Sequence, residues 1–187
     1  YLTLKISGFP PARVIGSGTV LDTSRLRYLI SEHCRVDPRN VHAYIIGEHG
    51  DSEFPVWSNA NIGGVLLRDY CPVCRRECGH EKELAGIFQK VKEAAYKIIE
   101  SKGATYYAIA LALVKISGAL LRDENSVLPV SGLAEGYHGI SDVCLSLPAL
   151  VNRSGIGRGL PLSLSPEEEK SLLASARAIK KAAGEIS

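Results

Sequence analysis

The feature that most constrains the fold is a change of periodicity along the chain. Between residues 84 and 120 apolar residues recur at three- and four-residue steps, interrupted at Gly103, and this spacing is typical of two long helices. From Val127 onward the apolar runs are short and separated by glycine-rich turns, a pattern typical of strands. Long helices followed by a run of strands predict an α+β domain, with antiparallel strands packed against the helices.

Shorter patterns place the remaining elements. We expect a helix from Leu21, a buried strand over Val41–Ile46, and a last helix that Ser165 caps and Pro166 begins. Residues 106–120 are nearly all apolar, which predicts a helix buried on most sides. The predicted later strands are Val127–Val130, Val143–Leu147 and Gly157–Leu160.

Composition excludes several classes of function. The net charge of +2 gives no electrostatic reason to expect binding to nucleic acid or to an anionic membrane surface. There is no apolar run of membrane-spanning length and no signal-peptide pattern. Five cysteines, an odd number, without a secretory segment indicate reduced thiols and a cytoplasmic location.

The chain begins at Tyr1 and contains no methionine, so we expect that a region N-terminal to it is missing; the alternative is an intact short protein. Two glycine clusters imitate a dinucleotide-binding turn. In Gly16–Leu21 a leucine stands where the third glycine belongs, and Gly155–Gly159 has the wrong spacing and is followed by Pro161. We interpret both clusters as turns, so a nucleotide-binding unit is not expected within these residues.

A histidine on a glycine-flanked turn is the best candidate for chemistry. His49 follows the predicted strand Val41–Ile46, and an imidazole gives and takes a proton near neutral pH. The segment with Asp22 and Arg25 supplies a carboxylate to hold the ring and a guanidinium that can bind a substrate carboxylate with two hydrogen bonds. Taken alone, His49 is more simply a polar turn residue.

Three cysteines and a histidine form the other unusual cluster: Cys71, Cys74, Cys78 and His80. Three thiols and an imidazole are a possible tetrahedral zinc set. The segment is short, however, and no second Cys-x-x-Cys pair closes the site, so we interpret the cysteines as free thiols and expect no metal.

Three ordered motifs resemble the bacterial L-lactate dehydrogenases: Val14–Arg25, Ile45–Ser52 and Lys102–Ala110. The resemblance runs through essentially the whole chain and corresponds to the family's C-terminal substrate-binding domain, which would occupy residues 1–187. It implies that the N-terminal Rossmann domain, which binds most of the NAD, is absent from this chain. The 187 residues alone would then not reduce pyruvate.

The resemblance also implies residue roles. His49 would exchange a proton with pyruvate or L-lactate, and Asp22 would orient and stabilise the protonated ring. Arg25 would bind the substrate carboxylate, Thr105 would close the wall around its small end, and Ile109 would lie near the nicotinamide. A homotetramer is expected on the same ground.

Arg27 and His42 match the pair that binds fructose 1,6-bisphosphate at a subunit interface in the activated members of the family. A guanidinium and a protonated imidazole suit phosphate. The alternative is that Arg27 forms a surface ion pair and His42 is a strand residue that faces solvent.

Two other functions stay open from the sequence. A malate dehydrogenase, or another 2-hydroxyacid dehydrogenase of the superfamily, would use the same histidine, aspartate and arginine. A stand-alone regulatory module could instead bind sugar phosphate through Arg27 and His42, or metal through the cysteine cluster.

Overall fold

The structure is a computed structural model, and it describes residues 1–70 and 80–185. Cys71, Cys74 and Cys78 lie outside the described residues, as does the His80 side chain, so the prediction about this cluster stays a prediction. The α-helices are α1 (Leu2–Ser7), α2 (Val20–Cys34), α3 (His80–Lys102), α4 (Tyr107–Leu121) and α5 (Pro166–Gly184). Short 3-10 helices cover Pro11–Arg13, Pro38–Asn40 and Trp57–Asn59.

Within residues 1–70 and 80–185, eight strands form three antiparallel sheets. The strands are β1 (Val41–His42), β2 (Ile45–Ile46), β3 (Phe54–Pro55), β4 (Asn61–Ile62), β5 (Val65–Leu66), β6 (Ser126–Tyr137), β7 (Ile140–Asn152) and β8 (Gly155–Gly159). Their orders are β1-β4-β5, β2-β3 and β6-β7-β8. The predicted α+β class, with antiparallel strands and long helices, is confirmed.

Three apolar clusters of described residues hold these elements together. In the first, Leu26 and Ile30 of α2 meet Ile87 and Val91 of α3, so the two helices pack side by side. The second joins Leu172 of α5 to β2, β3 and the β6–β7 hairpin, and the third joins α4 to the opposite end of that hairpin. Burial of these side chains is the main stabilising term of the fold.

The expected single strand over Val41–Ile46 is wrong in detail. Val41 and His42 pair with β4, whereas Ile45 and Ile46 pair with β3 in a different sheet. The single apolar run therefore contains two short strands that belong to two different sheets. Periodicity detects extended backbone but not the partner of each strand.

The second long helix is also less buried than its sequence predicts. Ala112, Ile116 and Ala119 face the core, but large apolar side chains on the other side are exposed: Tyr107, Leu111, Leu113, Val114 and Leu121. In α5, Leu172 and Ala176 face inward, whereas Leu173 is exposed. An apolar composition therefore did not identify the buried side of α4.

The glycines of Gly16–Leu21 allow this segment to pass close to strand β6. Gly16 bridges Ser131 of β6, with Gly16 N donating to Ser131 O at 2.9 Å and Ser131 N donating to Gly16 O at 3.0 Å. Gly18 has φ +54°, and a Cβ there would lie 2.7 Å from Pro129 O, so no larger residue fits. The cluster Gly155–Gly159, interpreted as a turn, is strand β8, which overlaps the strand predicted over Gly157–Leu160.

Each strand pair among the described residues is antiparallel. A dinucleotide-binding unit requires parallel strands joined through a glycine turn and a helix. Residues 1–70 and 80–185 therefore contain no such unit. In this same part of the chain, no helix has the length and apolar character needed to cross a membrane.

Candidate functional site

Two threonines fix α2 against β2. Thr19 Oγ1 donates to Ile45 O at 2.6 Å, and Ile45 N donates to Thr23 Oγ1 at 3.0 Å. Both threonines are buried, so these bonds satisfy polar groups that water cannot reach. These bonds fix the position of Asp22, which lies between the two threonines in sequence, relative to the segment that leads to His49.

The turn after β2 is anchored on two further sides. Gly47 exchanges backbone hydrogen bonds with Ser146 of β7 at 2.9 and 2.8 Å. Glu48 N donates to Ser175 Oγ of α5 at 2.6 Å, and Ser175 is fully buried. Gly47 has φ +98°, and a Cβ there would lie 2.5 Å from Ser175 Oγ, so only glycine allows this approach.

The structure brings together His49, Asp22 and Arg25. His49 Nδ1 lies 2.9 Å from Asp22 Oδ2, and Arg25 Nη1 lies 3.2 Å from Asp22 Oδ1. The Asp22 side chain is only 5% exposed, whereas that of His49 is 57% exposed. A buried carboxylate therefore has a cation candidate on each oxygen, and one of them, the imidazole, reaches solvent.

Glu53 is the residue that sequence reasoning missed. Its Oε2 lies 3.6 Å from the same His49 Nδ1, and its side chain is 5% exposed. The available signal was an acidic residue four positions after His49, just before the buried Phe54. An isolated acid on a turn is usually solvated, so that signal was easily overlooked.

The two carboxylate oxygens that face His49, Asp22 Oδ2 and Glu53 Oε2, are buried and form no aligned hydrogen bond with any described residue. They approach Nδ1 at 2.9 and 3.6 Å as ion pairs. Buried negative charge of this kind favours a positive charge at the ring.

Electrostatics follow from that arrangement. Contacts with Asp22 first and Glu53 second raise the pKa of His49 to about 10 from its ordinary value of 6.5. Burial is the main reason that the pKa of Glu53 is raised, and the nearby charge of Asp22 adds to it. The ring therefore holds its proton at neutral pH.

An open cleft of about 240 Å³ exposes this cluster. Its walls come from the His49 turn and from α3, and they comprise Asp22, His49, Gly50, Asp51, Glu53, Val91, Lys92, Tyr96 and Ile99. A larger groove of about 410 Å³ lies between Pro11 and β8, away from the acid–base cluster. Of these two cavities, the smaller one contains the exposed imidazole of His49 and has space for a small molecule.

The side chains of Asp22, His49 and Glu53 also have the composition of a metal site. Ligand atoms of Asp22, His49 and Glu53 lie within 4.8 Å of one another. A cation would have to displace the proton that the carboxylates hold on Nδ1, and metal ligation needs the neutral imidazole. We therefore assign the cluster to holding a proton.

The other predicted site residues lie elsewhere. Thr105 is exposed in the loop between α3 and α4, and it lines a separate cavity with Ile98 and Tyr106. Ile109 is half-buried in the first turn of α4 and packs against the β6–β7 core. Neither contributes to the wall of the His49 cleft, so their predicted roles stay predictions.

Arg27 and His42 lie on neighbouring elements. Arg27 Nε donates to Ala43 O at 2.9 Å, and its guanidinium lies 4.8 Å from the centroid of the Tyr44 ring. His42, which precedes Ala43, is exposed on β1. Among the described residues Arg27 has no carboxylate partner, so the expected alternative of a surface ion pair is not observed.

Comparison with known proteins gives a consistent result. Residues 19–186 match the family model described as lactate/malate dehydrogenase, alpha/beta C-terminal domain. An L-lactate dehydrogenase of Gloeobacter violaceus is 55% identical over 180 residues, which cover 96% of this chain and 54% of that protein. An L-lactate dehydrogenase of Thermoanaerobacter pseudethanolicus is 54% identical over 187 residues, 100% of this chain and 60% of that protein.

Solved structures agree. The minor L-lactate dehydrogenase from Enterococcus mundtii has a TM-score of 0.91 at 41% identity, covering 97% of this chain and 57% of that one. The L-lactate dehydrogenase from Clostridium thermocellum has a TM-score of 0.88 at 45% identity, covering 100% of this chain and 60% of that one. The chain spans somewhat more than half the length of these relatives. On the family match over residues 19–186, the chain belongs to the lactate/malate dehydrogenase family and carries its C-terminal domain.

Proposed function

We propose that this chain is the substrate-binding and catalytic part of an NAD-dependent L-lactate dehydrogenase, which interconverts pyruvate and L-lactate. The observation that carries the proposal is the position of Asp22 between His49 Nδ1 at 2.9 Å and Arg25 Nη1 at 3.2 Å. The named relatives, each an L-lactate dehydrogenase, favour lactate over malate as the substrate.

The proposed mechanism assigns one task to each side chain. With Nδ1 facing Asp22, the other ring nitrogen of His49 is the one that can meet substrate. In pyruvate reduction that nitrogen gives its proton to the carbonyl oxygen, and in lactate oxidation it takes the proton back from the hydroxyl. Arg25 binds the substrate carboxylate, and Asp22 stabilises the charged ring.

The cofactor needs residues beyond those described. When bound, the nicotinamide supplies or accepts the hydride. Because each strand pair among residues 1–70 and 80–185 is antiparallel, these residues do not fit the pyrophosphate of a dinucleotide. We propose that a Rossmann domain outside this chain binds most of the NAD, that Ile109 lies near the nicotinamide, and that Thr105 approaches the substrate only in the complete enzyme. The chain alone is then inactive.

We further propose that fructose 1,6-bisphosphate activates the enzyme through Arg27 and His42. Two contacts support this: Ala43 O and the Tyr44 ring hold Arg27 against the segment that carries exposed His42. A guanidinium fixed in this way and without a carboxylate partner among the described residues is available to a phosphate. We also propose a cytoplasmic homotetramer, as is expected for the family.

The experiment that tests the function is an assay of the complete polypeptide that contains these residues. NADH oxidation is measured with pyruvate and, separately, with oxaloacetate. We expect kcat/KM to be larger for pyruvate. A preference for oxaloacetate would favour malate dehydrogenase, and no turnover with either 2-oxo acid would reject the dehydrogenase proposal.

A further inference from the structure

We propose that Glu53 is a positioning residue for His49. The carboxylates of Glu53 and Asp22 together contact Nδ1 and keep the ring protonated before substrate binds. The inference deepens the proposed function and rests on it only for its kinetic test. Asp22 alone would suffice to orient a histidine, so the second acid requires its own explanation.

The first argument is geometric. Asp22 Oδ2 and Glu53 Oε2 approach the same ring nitrogen, at 2.9 and 3.6 Å, from different elements. Asp22 comes from α2, and Glu53 comes from the end of the turn that carries His49 itself. A ring nitrogen held by two acids has fewer orientations than one held by a single acid, which favours a defined position for the opposite nitrogen.

The second argument is that Glu53 has no other cation within ion-pair distance. Among the described residues, its one ion pair is with His49. Lys92 of α3 donates to Asp51 O at 2.8 Å instead, although its charge still acts on Glu53. A buried carboxylate without a paired cation is costly, so the protonated form of His49 stabilises Glu53, and Glu53 in turn stabilises the protonated form of His49.

The third argument concerns all charged and titratable groups around the ring. Asp22 and Arg25 face it from α2, Asp51 and Glu53 belong to its own turn, and Lys92 and Tyr96 face the cleft from α3. The positive charges of Arg25 and Lys92 oppose protonation of the ring, and Arg25 is already paired with Asp22. Glu53 therefore supplies negative charge that Asp22, shared with Arg25, does not supply alone.

The consequence for the reaction has a definite sign. Pyruvate reduction needs the protonated ring, and lactate oxidation needs the neutral ring. Removing the Glu53 charge lowers the pKa of His49. The pH range of pyruvate reduction then contracts at its alkaline end, and lactate oxidation extends to lower pH.

The test compares Glu53→Gln, which keeps size and removes charge, with wild type in the complete protein. Histidine ring resonances are followed by NMR against pH in isotopically labelled protein, and His49→Gln identifies the His49 signal among the histidine signals, five of which come from these 187 residues. We expect Glu53→Gln to lower the midpoint of His49 by about one pH unit, since an opposite charge nearby shifts a pKa by ~1–3 units. Glu93→Gln, on the exposed side of α3, is the matched control and should leave the midpoint unchanged.

A second variant and a kinetic arm complete the design. Glu53→Asp keeps the charge but withdraws it by one methylene, so its midpoint should lie between those of wild type and Glu53→Gln. The pH profiles of kcat/KM for pyruvate should move in the same order. A His49 midpoint that does not change in Glu53→Gln, or in Glu53→Asp if the first variant does not fold, overturns the inference. The NMR measurement needs no turnover, so it tests the role of Glu53 even if the dehydrogenase proposal fails.

Discussion

At the residue scale, one buried carboxylate organises the site. Asp22 is shared by His49 on one oxygen and by Arg25 on the other, and the i, i+3 spacing on α2 places the arginine there. The sequence indicated these three residues because a histidine turn and an Asp-x-x-Arg segment are both visible in it. The burial of Glu53, which separates it from an ordinary acid on a turn, could not be predicted, because it depends on tertiary packing.

Replacing Arg25 with lysine should weaken substrate binding. Lysine keeps the charge but cannot form two parallel hydrogen bonds to a carboxylate, and a charge-assisted bond is worth ~1.5–3 kcal/mol. We expect kcat/KM for pyruvate to fall by about 10- to 100-fold, chiefly through a higher KM. Arg39→Lys, in a surface ion pair with Asp37, is the control that should leave the kinetics as in wild type.

Neutralising Asp22 should move the alkaline limit of pyruvate reduction. Direct contact with the Asp22 carboxylate is the largest cause of the raised His49 pKa of about 10, and the charge of Asp22 adds to it. Asp22→Asn therefore lowers that pKa, and the rate falls at lower pH than in wild type. The protonated ring also stabilises the fold. Because its folded pKa lies above 6.5, this stabilisation is complete below pH 6.5 and is lost as the pH rises toward about 10.

Denaturant titrations between pH 6.5 and about 10 measure how the free energy of unfolding depends on the protonation of His49. The wild-type free energy of unfolding should decline through the window, and Asp22→Asn should show a shallower decline. An identical pH dependence in the two proteins would mean that Asp22 does not hold the proton of His49.

At the element scale, the turn that carries His49 depends on three elements far apart in sequence. The threonines of α2, Ser146 of β7 and Ser175 of α5 each bond to the stretch Ile45–Glu48. The helices themselves were predictable from periodicity and from the Ser165 cap, which forms the expected capping box with Glu168. The contacts between them were not, because serine and threonine carry no pattern that names a partner.

Ser175→Ala tests this anchoring. It leaves Glu48 N without its acceptor in a partly buried position, which should cost about 1–3 kcal/mol of unfolding free energy. It should also lower kcat for pyruvate, since Glu48 immediately precedes His49. The control is Ser171→Ala on the same helix, whose hydroxyl only donates to Glu167 O and should matter little. Equal effects of the two changes on kcat would argue against a specific role for Ser175.

At the scale of the whole molecule, the fold class was predictable and the covered surfaces were not. The order of helices and strands defines an α+β domain, but α4 exposes Leu111, Val114 and Leu121 although its sequence suggested burial. Which side of an apolar helix is covered depends on what packs against it, and a single sequence does not contain that information.

Regulation by a sugar bisphosphate also belongs to this scale. In the complete enzyme, fructose 1,6-bisphosphate should lower KM for pyruvate, because the phosphates bind Arg27 and His42. The double change Arg27→Gln with His42→Ala should abolish the response, whereas Arg39→Gln, an exposed arginine that also precedes β1, should preserve it. The proposal is wrong if the activator has no effect on wild type or acts equally on the double variant.

The most direct test of the account is NADH oxidation with pyruvate by the complete enzyme carrying His49→Gln. If the ring at the rim of the cleft exchanges the proton, kcat should fall by about 10³-fold while the protein stays folded, because general acid catalysis contributes ~10²–10⁴-fold. Turnover near the wild-type rate would contradict the account.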